Sequence, residues 1–164
     1  SLRDALDLAV LVEEEAKERY EEFAHQMESH HTPEAARFFR FMAGNEEKNR
    51  AELAARREKL FGEEPRTVRR EMLFDVEAPA YDEARTLMSP RAALQTALKS
   101  EEKAHAFFDG CLPAVKDEGV KQLFTELRAE EIQHKDLVKL ELAKLPEDDG
   151  FRAEDFEDEP VAID

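Results

Sequence analysis

The sequence predicts an all-α protein, a four-helix bundle built from two helical hairpins that are joined by one long crossover. Three observations indicate this fold class. Four segments of about 25 residues repeat apolar side chains every three to four positions. Only 5 of the 164 residues are glycine and 39% are charged, a composition typical of long helices. About 28 residues that lack this period separate the second segment from the third, enough to return along the bundle.

Local signals place the ends of the helices. The expected helices cover about residues 2–28, 33–60, 90–116 and 119–145. Thr32 before Pro33 and Ser89 before Pro90 supply an N-cap and a first-turn proline for the second and third helices. Pro113 is expected to kink the third helix or to end it early, because proline lacks the backbone N–H that an interior position donates.

The chain length suits one domain at residues 1–145, with the crossover at residues 61–89. Residues 146–164 carry nine acidic residues against one arginine. We expect this acidic tail to be solvated, with Phe151 and Phe156 as the residues that would dock part of it.

The two hairpins resemble each other in sequence. The stretch EEEAKERYEEF, which starts at Glu13, aligns with EEKAHAFFDGC, which starts at Glu101. From these anchors Glu46 matches Glu131, once three extra residues are allowed in the first loop. The pattern indicates an internal duplication.

Each helix has an apolar seam that becomes polar at one level near its middle. The polar positions are Glu13, Glu46, Asn49, Glu101, Glu131 and His134. A seam faces the partner helices, so these side chains should converge in the core. An unpaired buried charge costs several kcal/mol, and the seams carry no lysine or arginine at that level. Metal cations would neutralise the carboxylates.

The spacing of these residues suits a metal site. Glu131 and His134 are three residues apart and share a helix face. Carboxylates with imidazole suit iron, manganese or zinc, and a glutamate from each helix with Glu-x-x-His pairs is the pattern of di-iron bundles. The alternative is that the helix phase is wrong by one residue, which would place the glutamates on solvated faces.

Two motifs carry a family resemblance. VEEEAKERYEEFA in the first helix and EEIQH in the fourth are similar to the Glu-x6-Tyr and Glu-x-x-His motifs of the ferritin-like, rubrerythrin-type di-iron family. The resemblance covers about residues 2–145. It implies terminal metal ligands at Glu13 and Glu101, bridging ligands at Glu46 and Glu131, a ligand of one metal at His134, and a hydrogen-bond donor to the ligands at Tyr20.

The chain departs from the family pattern at several positions. Asn49 stands where the family has a second histidine, so it is either a weak oxygen ligand or a hydrogen-bonding amide, and His105 is a possible replacement ligand. Phe108 lacks the hydroxyl of its repeat partner Tyr20, and Ala104 stands where true rubrerythrins have an extra glutamate. No Cys-x-x-Cys pair is present, so the rubredoxin module is absent.

The resemblance implies two iron ions, with manganese or zinc as substitutes, and oxidation of Fe(II) by O2 or peroxide. A peroxidase would then need an external electron donor, whereas a ferroxidase would not. One alternative is a non-catalytic metal-binding or scaffold bundle in which Asn49 has weakened one site. Another is a bundle that holds protonated glutamates and no metal.

Charge and composition limit the partners and the compartment. The net charge of -16 argues against binding to nucleic acid or anionic membranes. The single Cys111 and the lack of a long apolar run lead us to expect a soluble cytoplasmic protein. Apolar residues off the seams, such as Leu8, Leu11 and Phe38, lead us to expect a homodimer.

Overall fold

The computed structural model describes residues 1–30, 32–73 and 89–146. Its four α-helices are α1 Leu2–Ser29, α2 Pro33–Phe61, α3 Pro90–Cys111 and α4 Glu118–Ala143, and two short 3-10 turns cover Arg70–Leu73 and Leu112–Ala114. The described ranges contain no strand, and the predicted all-α four-helix bundle is confirmed. The acidic tail after residue 146 and the crossover residues 74–88 lie outside the described residues.

Side-chain caps begin two of the later helices. The Ser89 hydroxyl accepts a hydrogen bond at 3.0 Å from the backbone N–H three residues on, and the Asp117 carboxylate does the same for α4 at 2.9 Å. Thr32 precedes α2 without a side-chain cap bond. Its hydroxyl instead donates to the backbone oxygen of Met27 at 2.8 Å, which closes the turn between α1 and α2.

The third helix ends at Cys111 and not at residue 116 as the periodicity suggested. Pro113 lies inside the 3-10 turn that follows. Because proline has no N–H and its ring crowds the carbonyl four residues earlier, the α-helix cannot continue through it. The chain then turns into α4 over a few residues, and Val115 still contributes to the core.

Two apolar clusters fill the bundle on either side of its middle. The first cluster contains Tyr20, Phe23, Met27, Phe39, Met42, Leu94, Ala97 and Val138. The second contains Leu6, Ala9, Val10, Leu53, Phe108, Val120, Phe124 and Leu127. The first therefore joins the late part of α1 and α4 to the early part of α2 and α3. Thus α1 and α4 run in one direction, and α2 and α3 run in the other.

The described start of the crossover returns along the outer face of α1. Val68 packs beside Leu8 and Leu11. The Arg70 guanidinium donates two hydrogen bonds of 2.7 Å to the carboxylate of Glu18. This contact holds the described start of the crossover beside α1, which is consistent with a bundle topology that has one long connection.

The apolar residues that the sequence led us to expect at the surface are buried or half-buried. Leu11 is only 6% exposed because it packs with Val12 and Ala104 under the crossover, and Leu8 and Phe38 are half-buried. Leu60, at the end of the α2 seam, is 39% exposed. The large apolar side chains that reach solvent in the described chain are Phe41, Leu60, Ile132 and Leu140. The residues on which the dimer prediction depended are therefore not the exposed ones.

A buried ion pair ties the first hairpin to the crossover. The Arg57 guanidinium donates to the Asp7 carboxylate at 2.8 Å and 3.3 Å, and to the backbone oxygen of Gly62 at 2.9 Å. Asp7 is fully buried. Arg57 is thus a basic residue that α2 buries near its end. In the described ranges we find no helix whose length and apolarity would let it cross a bilayer.

Candidate metal centre

Between the two apolar clusters, all four helices bury acidic side chains. The exposed fractions are 0% for Glu13, 1% for Glu46, 2% for Glu101, 1% for Glu131 and 5% for His134. Their chain neighbours Glu14, Glu47, Glu102 and Glu130 are half-buried or exposed. The alternative helix phase, which would place the predicted residues on solvated faces, is therefore excluded.

His134 faces three carboxylates. Its Nδ1 lies 3.3 Å from Glu46 Oε1, 3.4 Å from Glu101 Oε2 and 3.7 Å from Glu131 Oε2. One potential ligand atom from each of these four residues lies within 4.8 Å of the other three. The spacing of Glu131 and His134 achieves this because residues three apart share a helix face. The group has the donor set, oxygen with imidazole, that suits iron, manganese or zinc.

The other predicted site residues lie around this group. Glu13 lines the same cavity as Glu46, although it is not one of the four that converge on His134. Asn49 is 2% exposed, and within the described chain its side-chain nitrogen has no hydrogen-bond partner. His105 is half-buried and does not belong to the group. The structure therefore brings four of the predicted residues together, with Glu13 beside them.

Tyr20 contacts the site directly. Its hydroxyl donates a hydrogen bond of 2.5 Å to Glu101 Oε1. The tyrosine is 1% exposed, and burial together with the neighbouring Glu101 charge raises the pKa of its hydroxyl well above 10.0. It therefore stays protonated and holds the Glu101 carboxylate in one orientation. Phe108, its repeat partner, instead packs edge-on against Phe124 in the second cluster.

Burial and mutual repulsion distribute protons unevenly over the cluster. Burial, followed by the charge of Glu46, raises the pKa of Glu13 well above 4.5, and burial with the charge of Glu101 does the same for the pKa of Glu131. Burial also raises the pKa of Glu101, but Glu131, His134 and the Tyr20 hydroxyl outweigh it and lower this pKa to about 2. Burial lowers the pKa of His134, but the three carboxylates raise this pKa by a larger amount, so it lies above the usual value of 6.5.

These observations fit a metal. Within the described part of the chain, no donor group lies within hydrogen-bond distance of either carboxylate oxygen of Glu13 or of Glu131, although both side chains are buried and other carboxylates face them. A buried acceptor without a partner costs about 1 to 3 kcal/mol. A cation bound among these oxygens would remove that cost and displace the protons that the raised pKa values retain.

Arg19 is a buried charge near the site that the periodicity missed. It is 1% exposed; burial lowers the pKa of its guanidinium, whereas Tyr20 and the Glu101 carboxylate raise it. The apolar period of α1 does not identify Arg19, because this residue lies on a second buried face with Val12 and Glu15, where polar residues interrupt any apolar period. The seams themselves carry no basic residue at this level, but the buried Arg19 guanidinium lies close enough to interact with the Glu101 carboxylate.

The fold and the buried group define a class of protein: a helical bundle whose glutamates and histidine form a candidate metal site. The model of the family described as Rubrerythrin matches residues 4–142, and the chain belongs to the rubrerythrin family. The resemblance inferred from the two motifs is thereby confirmed. Family and site together point to metal ions as the cofactor.

A solved structure supports the fold. The crystal structure of an uncharacterized conserved protein from Magnetospirillum magnetotacticum MS-1 is 26% identical to this chain, with a TM-score of 0.75. The alignment covers 89% of this chain and 96% of that one. No curated protein matches the chain.

Proposed function

We propose that this protein binds two metal ions and oxidises Fe(II) with O2 or peroxide, as a ferroxidase or a rubrerythrin-like peroxidase. The observation that carries the proposal is the buried convergence of Glu46, Glu101, Glu131 and His134, with Glu13 beside them. Membership of the rubrerythrin family supports it.

We assign the ligands to two unequal positions. Glu101 and His134 would hold the first metal, and Glu13 the second, with Glu46 and Glu131 bridging them. The first position has an imidazole within 3.4 Å of a Glu101 oxygen, which supports tight binding there. The second has Asn49 where an imidazole would stand. Because an amide oxygen is a poorer ligand for iron than imidazole, we expect this metal to be weaker and exchangeable.

Bound iron would supply the electrons that reduce the oxidant. The protein residues prepare the site for it. Tyr20 keeps the Glu101 carboxylate oriented through its 2.5 Å hydrogen bond. His134 and Glu131 give up protons when a cation enters, because only the deprotonated forms bind metal. The apolar clusters on both sides contain Phe39 and Phe124, which exclude bulk water from the carboxylates.

The source of electrons separates the two activities. The chain has a single cysteine, so it cannot hold the four-cysteine iron site of a rubredoxin module. Turnover as a peroxidase would need an external reductant, whereas ferroxidase activity uses Fe(II) itself. The alternative function is a non-catalytic metal-binding or scaffold bundle, which Asn49 favours because its amide oxygen is a poorer ligand than imidazole and would weaken the second position.

Iron titration of anaerobically prepared protein tests the proposal. We expect two Fe(II) per chain with unequal affinities and rapid oxidation when O2 or peroxide is added. Asn49→His should tighten the second iron by about tenfold, because imidazole replaces the amide. The matched control is Asn45→His, which places a histidine one turn earlier on α2 at a half-buried position. It should leave both affinities unchanged.

The alternatives predict different results. One tightly bound metal with no oxidation of Fe(II) would support the scaffold function and overturn the enzymatic one. A protein that binds no metal would overturn both. If Asn49→His changes neither occupancy nor oxidation, the assignment of position 49 to the second metal is wrong.

A further inference from the structure

The candidate metal site has one side that is walled by small residues. A narrow cavity beside the carboxylates runs between α1 and α3. Its lining residues are Val12, Glu13, Ala16, Glu46, Ser100, Glu101, Ala104 and Glu131. Aromatic residues close the site along the bundle axis, with Tyr20 in the first cluster and Phe108 in the second. The α1–α3 side is therefore walled mainly by small residues, Ala16, Ser100 and Ala104.

Ser100, one of the residues that line this cavity, has an unsatisfied hydroxyl. The residue is 3% exposed, and its Oγ has no hydrogen-bond partner in the described chain. Serine and threonine within helices commonly bond to the backbone oxygen four residues earlier, as Thr125 does with Lys121 at 2.7 Å. Ser100 does not make this bond. A buried hydroxyl without a partner destabilises the folded chain, so its position calls for a ligand.

Ser100 also has the one side-chain hydroxyl among the described residues that line the cavity. Among the described residues that line it, the other polar groups are four glutamates, which only accept hydrogen bonds once they are ionised on a metal. The Tyr20 hydroxyl is already committed to Glu101. An oxygen-bearing ligand of the metal presents lone pairs and needs a donor, and the Ser100 hydroxyl is free to supply it.

We propose that the cavity between α1 and α3 receives the small anionic ligand of the metal site, a peroxide-sized species, and that Ser100 donates a hydrogen bond to it. This inference rests on the proposed function of the same site. The cavity has no room for a water molecule as it stands. Binding there therefore requires the carboxylates to turn toward bound metal, so the ligand should bind only to the metal-loaded protein.

Azide is the probe for this test, because it is a stable linear anion of similar size. The protein is loaded with Co(II), metal content is measured, and azide is titrated while the visible Co(II) absorption is followed. We expect Ser100→Ala to bind Co(II) like the unsubstituted protein but azide about tenfold more weakly, through loss of one hydrogen bond. Ser100→Thr, which keeps the hydroxyl, should retain most of the affinity.

Thr96→Ala is the matched control. Thr96 is also buried on α3, one turn earlier, but it does not line the cavity, so azide affinity should be unchanged. Equal azide affinity in Ser100→Ala and the unsubstituted protein overturns the role of Ser100. A Co(II)-loaded protein that binds no azide overturns the anion site as well. Both results leave the proposed function standing. Failure of the unsubstituted protein to bind Co(II) overturns the metal site and, with it, this inference.

A second measurement needs no metal. In the metal-free protein, Ser100→Ala should unfold at the same temperature as the unsubstituted chain or at a higher one, since it removes a buried donor that has no partner. A clear drop in the unfolding temperature would show that the hydroxyl makes a structural hydrogen bond. That result would overturn the assignment of Ser100 to a ligand.

Discussion

At the scale of single residues, protons and metal ions compete for the same carboxylates. Burial raises the pKa of Glu13 and of Glu131, while the partners of Glu101 lower its pKa to about 2. The site thus keeps Glu101 ionised beside a protonated His134, whose pKa the carboxylates raise above 6.5. Metal binding must release the protons that Glu13, Glu131 and His134 retain, so affinity should increase with pH.

This arrangement predicts how the metal-free protein responds to pH. The pKa of Glu13 and of Glu131 is near 4.5 when unfolded and is raised on folding, so their stabilising contribution is full below pH 4.5 and is lost as the pH rises through the folded values. The raised pKa of His134 acts in the same direction above pH 6.5. Glu101 is ionised in both states above pH 4.5 and adds no slope.

The free energy of unfolding, measured with urea in the presence of a chelator, should therefore fall as the pH rises above about 5. Glu131→Gln should flatten this decline, because an amide of the same shape does not ionise. Glu130→Gln changes the adjacent, half-buried glutamate and is the control. A stability that rises over this range would contradict the raised pKa values.

At the scale of elements, the ends of α1 and α2 are held by a polar contact. Asp7 is fully buried, and Arg57 connects it to the backbone of Gly62, where the crossover begins. Arg66 adds a longer ion pair to Asp7 at 3.9 Å. The contact joins α1, α2 and the crossover at one point, and Arg70 continues the attachment farther along α1.

Arg57→Ala should lower the free energy of unfolding by about 3 kcal/mol, because it leaves the Asp7 carboxylate buried without its main partner. The double variant Asp7→Leu with Arg57→Met should recover most of this loss, since an apolar pair carries no buried charge. Lys59→Ala, at an exposed position two residues farther along α2, serves as the control. Urea denaturation of the three variants measures the difference; equal stability of Arg57→Ala and Lys59→Ala would show that the pair contributes nothing.

At the scale of the whole molecule, the candidate site joins all four helices. Glu13 and Glu46 come from the first hairpin, and Glu101 and Glu131 from the second. A cation bound among them connects the hairpins at the level where the carboxylates otherwise repel one another. Stability and metal affinity should therefore be linked in this protein.

Removal of metal by a chelator should lower the unfolding temperature. A metal at about a hundred times its dissociation constant stabilises the folded state by about 2.7 kcal/mol. Metal should raise the unfolding temperature of the unsubstituted protein. It should raise that of Glu46→Gln much less, because this variant removes the charge of the proposed bridging ligand. Glu47→Gln, at the next and half-buried position, is the control. An unfolding temperature that chelators leave unchanged would favour the bundle with protonated glutamates and no metal.

The sequence by itself determined the helix phase, because apolar residues recur on one stripe of each helix and the duplication repeats the pattern. It thereby placed Glu13, Glu46, Glu101, Glu131 and His134 at one level of the core. These positions could be predicted from the sequence, because an apolar stripe with a period near 3.5 residues fits few choices of helix phase. The end of α3 was misplaced because the apolar period continued past Pro113, although the proline itself indicated the correct result.

Only the tertiary structure decided what lies off the seams. Leu11 is buried because the crossover covers it, and Arg19 is buried on a face with no apolar period. The Tyr20 hydrogen bond to Glu101 and the unpartnered hydroxyl of Ser100 depend on distances between α1 and α3. Spacing along one helix determines which residues share a face, but the packing between helices determines which atoms meet.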